Sequence, residues 1–324
     1  MIGTSISPRN ENFLQVIKSY YLLTKPRIIP LLLITTAASM WLAGAGKVDA
    51  LLLLFTLVGG TLAAASAQTL NCIYDQDIDY DMKRTRNRPI PSGRVQPRHA
   101  LIFAIILAIV SFTILTVFVN LLSALLAMSG IVFYLLVYTH LLKRHSTQNI
   151  VIGGAAGAIP PLVGWAAVTG ELSLTAWVLF AIVFLWTPPH FWALALFIKD
   201  DYAQVGVPML PVVEGEESTG EQMWIYTWLT VIFTLLLVYP LASSGIVYSL
   251  IAGVLGAVFL HKAWLVKRNP FDKQLARSMF KYSILYMMLL CTAIVVDSLP
   301  VTHQLTAALG EGLNTAIALL PSIQ

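Results

Sequence analysis

An all-α polytopic membrane protein, a bundle of nine transmembrane helices around a central cavity, is the fold class this sequence predicts, and three observations predict it. The 324 residues are 57% hydrophobic and 11% charged, with a mean hydropathy of +0.77, outside the range of soluble domains. Nine apolar stretches reach or approach the about 20 residues a helix needs to cross a bilayer. Basic residues fill alternate loops, as positive-inside topology requires.

The predicted spans are 28–46, 51–71, 99–119, 121–139, 150–168, 174–197, 223–241, 244–265 and 279–298. Of 20 Lys and Arg, 19 fall in the amino-terminal tail and alternate loops, leaving Lys47 opposite. The amino terminus is therefore expected inside a bacterial inner membrane and the carboxyl terminus in the periplasm. The chain reads as one domain over 1–324, with 1–27 a cytoplasmic segment and 299–324 a periplasmic tail, whose part from 303 is expected as an interfacial helix or coil. Cys72 and Cys291 stand far apart and outline neither a disulfide framework nor a thiolate metal site. Pro160-Pro161 and Pro188-Pro189 are expected to interrupt the fifth and sixth spans and to line the cavity there. Gly153, Gly154, Gly157 and Ala158 offer close helix contacts.

The chemistry concentrates where the second span ends. Asn71, Asp75 and Asp79 recur every four residues, so on a helix of about 100° per residue they form one stripe, with Asp77 and Asp81 turned away. One amide and two carboxylates are hard oxygen ligands, and Mg²⁺ takes one or two carboxylates and completes its shell with water and phosphate oxygens. Asp200 and Asp201, at the same depth four helices later, read either as a second metal position or as a charged helix end. Arg27, Arg84, Arg86, Arg88, Arg94, Lys143, Arg144 and Lys199 supply the charge a diphosphate needs, Arg84 and Arg88 standing out by their spacing. Positive-inside topology accounts for the same residues without function. A short-loop distribution of this kind does not make a nucleic-acid surface. His190 lies in the sixth span among Pro188, Pro189, Phe191 and Trp192, where an imidazole needs a partner, either a ligand or another side chain. His140 carries the same two readings.

The pattern NxxxDxxxD followed by RTxxRPxPSG resembles the UbiA superfamily of intramembrane prenyltransferases. Residues 138–165, 187–196 and 199–213 are similar, more narrowly, to its haem-farnesylating branch, and the likeness covers roughly 12–298. It implies a nine-helix bundle with farnesyl diphosphate and Mg²⁺ at the cytoplasmic end, haem b as acceptor and haem O as product. Asn71, Asp75 and Asp79 match the family's first metal–diphosphate motif, and Asp200 and Asp201 fall where its second lies. His190 then holds the porphyrin, ligates iron or orients water. Two positions depart from the wider pattern: Cys72 stands where many members have Asp, and Val205 follows Asp201 by four residues. A downstream haem-modifying or oxidase-assembly protein is the implied partner. The alternatives are transfer to a quinone precursor or chlorophyllide and, from another class, a transporter with charges near the midplane rather than at one end.

Overall fold

The structure, a computed structural model, describes residues 13–241, 243–299 and 302. The tail expected beyond 303 lies outside the described residues. Those described are helical, with no strand among them. A half-exposed helix α1 (Phe13–Leu23) precedes α2 (Ile29–Ala43), α3 (Ala50–Tyr74), the short α4 (Gln76–Asp81), α5 (Pro97–Phe118) and α6 (Leu121–Val132), which runs on as a π-helical segment, Phe133–Leu142. Then come α7 (Asn149–Thr169), α8 (Leu174–Phe197), α9 (Lys199–Gln204), α10 (Leu210–Val213), α11 (Gly215–Leu236), α12 (Ile246–Arg268) and α13 (Lys273–Asp297).

Seven of these, α3, α5, α6 with its π extension, α7, α8, α12 and α13, are long and apolar enough to cross a membrane. The first expected span appears as the 15-residue α2. The seventh expected span lies in α11, which starts at Gly215 rather than 223 because Glu216, Glu217 and Gln222 are helix formers that extend the apolar run backwards. Local caps set the ends. Asp49 accepts from Leu52 N at 2.8 Å before α3, Asn120 accepts from Ser123 N at 2.8 Å before α6, and Asp272 accepts from Gln274 N at 2.7 Å before α13.

The long helices close a ring in which α2 touches α3, then α5, α6, α7, α8, α11, α12 and α13 follow as neighbours, and α13 returns to α2. α2 also packs on α7, and α8 on α13, across the bundle. The largest apolar core lies among α7, α8 and α11–α13 around Trp192, Phe259, Met279 and Tyr286. On the outside the pattern inverts: Ile102 and Ile109 of α5 are 58% and 60% exposed. Apolar side chains turned outward along so apolar a helix are a lipid-facing surface, and the molecule is a multi-span membrane protein.

The expected interruptions at the proline pairs do not occur, since Pro160-Pro161 and Pro188-Pro189 lie inside continuous helices. Each proline removes one helical N–H, a loss that neighbouring helices and hydroxyl side chains offset. The carbonyls so freed are those of Ala156, Gly157, Phe184 and Leu185, and the helices continue past them with Ser39 of α2 donating to Pro161 O at 2.6 Å and Thr187 to Val183 O at 2.8 Å in the same turns.

Helix α7 approaches α2 so closely that a Cβ on Gly164 would stand 2.3 Å from the backbone oxygen of Thr36. Backbone cannot step aside as a side chain can, so Gly164→Ala is expected to cost about 1–3 kcal/mol. Gly157 of the same helix has nothing within 4 Å of its Cβ position, so Gly157→Ala should be neutral or slightly stabilising. Thermal denaturation of the two variants in detergent checks the contrast.

Candidate active site

The acidic stripe forms because α3 ends at Tyr74 without losing its hydrogen-bond ladder. Asp75 N donates to Asn71 O at 2.9 Å and Asp79 N to Asp75 O at 2.8 Å, so the four-residue register carries over into α4. Asn71, Asp75 and Asp79 are 2%, 2% and 4% exposed, and three cations meet them. Lys25 donates to Asn71 Oδ1, Lys143 pairs with Asp75 Oδ2, and Arg88 shares one nitrogen, Nη1, between both oxygens of Asp79 at 2.9 and 2.7 Å. Asp75 Oδ1 is buried and has no hydrogen-bond partner among the described residues. A bare carboxylate oxygen in such a place is costly unless a cation or donor belongs there.

Asp77 lies off this stripe. Arg144 grips it with two bonds of 2.7 Å, donates to Tyr74 O at 3.2 Å and covers the Tyr74 ring at 5.2 Å. Tyr74 in turn meets His140 Nδ1 at 2.6 Å. The Arg144 hydrogen bonds hold the Asp77 carboxyl down at about 2. The stabilisation from that depressed carboxylate is present above the ordinary range near 4 and is lost as pH falls toward 2. It is small, because Asp77 is mostly exposed.

The basic loop after α4 is built to aim Arg88 inward. Thr85 donates to Asp79 O at 3.1 Å, and Arg88 N closes a turn on Thr85 O at 2.8 Å. Arg94 instead folds back onto Ser92 and the Asn87 carbonyl. Arg27, Arg84 and Arg86 are exposed and form no ion pair among the described residues.

Across from α4, residues Val205–Val207 share a cavity of about 160 Å³ with Asp77, Ile78, Asp81 and Arg144, so the segment after α9 faces the first acidic segment. Of the second acidic pair, Asp201 is half-buried, whereas Asp200 is 86% exposed and pairs with Lys273 at 3.1 Å. Lys199 is taken by Glu216 at 2.7 Å. Tyr202 reaches back among Arg84, Arg88 and Asp75, and burial pushes its hydroxyl above the usual range.

His190 is held as a packed side chain. Its ring stacks on Trp186 at 4.3 Å and on Phe280 at 4.8 Å, and Nδ1 lies 2.7 Å from Ser283 Oγ. The Ser283 hydroxyl donates to Phe280 O at 2.7 Å, so it accepts from Nδ1–H, leaving Nε2 as the lone-pair nitrogen of the neutral ring.

Two residues beside the stripe escaped the sequence reading. Lys25, not Arg27, turns inward, from a left-handed backbone position of φ 47°. Thr139 sits fully buried against Asn71. A basic residue just before the first apolar run was the available signal for Lys25, and Lys25-Pro26-Arg27 offered two candidates. Nothing local marked Thr139.

The model of the UbiA prenyltransferase family matches residues 32–285. A protein of Gloeothece citriformis named protoheme IX farnesyltransferase is 76% identical over 321 residues, 99% of each chain. One of the same name from Synechocystis is 70% identical over 308 residues, 95% of this chain and 98% of that one. Among solved structures, digeranylgeranylglyceryl phosphate synthase superimposes with a TM-score of 0.73 at 21% identity, covering 88% of this chain and 99% of its own. A UbiA homologue from Archaeoglobus fulgidus bound to GPP and Mg²⁺ gives 0.61 at 15% identity, over 86% and 99%. The chain belongs to the UbiA prenyltransferase family.

Proposed function

We infer that this protein transfers the farnesyl group of farnesyl diphosphate to a vinyl group of haem b, with addition of water, yielding haem O and diphosphate. The observation that carries the chemistry is the buried meeting of Asn71, Asp75 and Asp79 with Lys25, Lys143 and Arg88. Relatives 65–76% identical over nearly the whole chain bear the corresponding name and support the acceptor.

Among the described residues no three His, Cys, Asp or Glu side chains gather closely enough to hold a metal alone. The donor set nevertheless suits one: Asn71 Oδ1, Asp75 and Asp79 are hard oxygens, and Asp75 Oδ1 is buried and bare, which fits an ion whose remaining ligands come from the substrate. Such an ion, when bound, neutralises phosphate charge and favours departure of the diphosphate. Lys25, Lys143 and Arg88 then stabilise the charge that grows on the leaving oxygen as the allylic C–O bond breaks and keeps its electron pair. The vinyl π electrons form the new C–C bond to the farnesyl carbon. Water adds to the resulting carbocation and gives up a proton. Burial of the acidic stripe delays that water, which otherwise captures the farnesyl cation as farnesol.

The basic loops support the bacterial inner membrane, with the amino terminus and the site at the cytoplasmic face and the carboxyl terminus in the periplasm. A product more lipophilic than haem b would stay in the bilayer for a haem-modifying or oxidase-assembly partner. Membranes containing the protein, incubated with haem b and labelled farnesyl diphosphate, should give a labelled, later-eluting haem on reversed-phase chromatography. Label recovered only in a quinone precursor or in farnesol would overturn the reading.

A further inference from the structure

The side chain of Asn71 has two ends, and only the oxygen end can serve a cation. Its orientation is dictated by the neighbours. Lys25 Nζ donates to Oδ1. On the other side the Nδ2 group donates to Thr139 Oγ1 at 3.2 Å. The single hydroxyl proton of Thr139 is already committed to the Tyr134 carbonyl at 2.8 Å, so Oγ1 can only accept from Asn71. A flipped amide would turn its N–H groups toward the Lys25 donor and its oxygen onto the lone pair of Thr139 Oγ1.

The arrangement depends on the π-helical winding after α6. Thr56, Thr69 and Thr227, within α-helices, bond back to the carbonyl four residues earlier, whereas Thr139 reaches five residues back. Lys143 N keeps the same five-residue spacing to Tyr138 O at 2.8 Å. The wider turn aligns Thr139 and Lys143, four residues apart, with Asn71 and Asp75, also four apart. Short π segments of this kind recur at functional sites.

We propose that Thr139 is a positioning residue that locks the Asn71 amide with its oxygen toward the metal–diphosphate site. The inference rests on the reading of Asn71 as a ligand. Thr139 is fully buried, and its hydroxyl is taken up by Asn71 and the Tyr134 carbonyl. Its removal should weaken metal binding while leaving recognition of haem unchanged.

Detergent-purified protein is titrated with Mn²⁺ in the presence of farnesyl thiolodiphosphate, a slowly hydrolysed analogue, and protein-retained Mn²⁺ is quantified by ultrafiltration and EPR. Thr139→Val, nearly the same shape, should bind Mn²⁺ about tenfold more weakly, the scale on which groups behind a ligand act. Thr139→Ser should restore binding, and the KM for haem b should be unchanged in both. In an Asn71→Asp background no amide remains to orient, so adding Thr139→Val should change affinity less than twofold. Wild-type affinity in Thr139→Val overturns the positioning role, as does a tenfold loss that persists in the Asn71→Asp background. No retention by the wild-type protein overturns the ligand reading itself, and this inference with it.

Discussion

Asp75→Ala and Asp79→Ala should each reduce farnesyl transfer by about 10³-fold or more, while the protein still extracts from membranes as a monodisperse, folded species. On the proposed function each variant loses one ligand of an ion that stabilises charge in a shielded site, a matter of several kcal/mol at about 1.4 kcal/mol per tenfold in rate. Folding should survive because the liberated cations have an escape. Arg88 is 28% exposed, and its guanidinium can turn to water, and Lys143, at the end of the π segment, is 15% exposed. Added Mg²⁺ should not restore turnover in either variant. Of the second acidic pair, Asp201→Ala should do the greater harm, since Asp200 points to solvent and is held by Lys273. Haem chromatography after incubation with labelled farnesyl diphosphate reads all four values. Near-normal turnover in both Asp75→Ala and Asp79→Ala would remove the stripe from the mechanism.

The stripe was legible because it depends on local register alone, which runs unbroken from α3 into α4. Asn71, Asp75 and Asp79 share a face through the four-residue register, whatever packs against them. Membrane character and helix positions were legible for the same reason, since hydropathy is local. What stayed hidden depends on a second element. Thr139 went unmarked, and Lys143, named as a cation, was not matched to Asp75, because both reach the stripe through the π winding of Phe133–Leu142, which shifts every following side chain relative to an α-helical count. Between Lys25 and Arg27 the choice is made by a left-handed turn at Lys25, and no composition rule selects it. Asp200 and Asp201 look equivalent in sequence, yet α9 turns one to solvent and leaves the other half-buried. The prolines misled in the opposite sense. A broken helix follows from backbone chemistry alone, but α7 is flanked closely by α2, whose Ser39, 122 residues away in sequence, bonds Pro161 O, and the helix runs through.

The other large effect separates stability from catalysis at a single ion pair. Lys143→Met removes the partner of Asp75 Oδ2, and Asp75 Oδ1 already has none, so a carboxylate 2% exposed is left with both oxygens bare. Breaking one side of such a buried pair costs about 3–5 kcal/mol, most of it the burden of the stranded charge rather than the worth of the bond. The thermal midpoint of Lys143→Met in detergent should therefore fall well below that of the wild type. Adding Asp75→Asn to Lys143→Met removes the charge at constant shape, and most of the lost stability should return. Turnover should not return, because a diphosphate would still lack the Lys143 ammonium and the ion a carboxylate oxygen. Two results would defeat the assignment. A Lys143→Met variant as stable as the wild type would mean that Asp75 is not stranded, and a double variant that regains both stability and farnesyl transfer would mean that the pair serves only the fold.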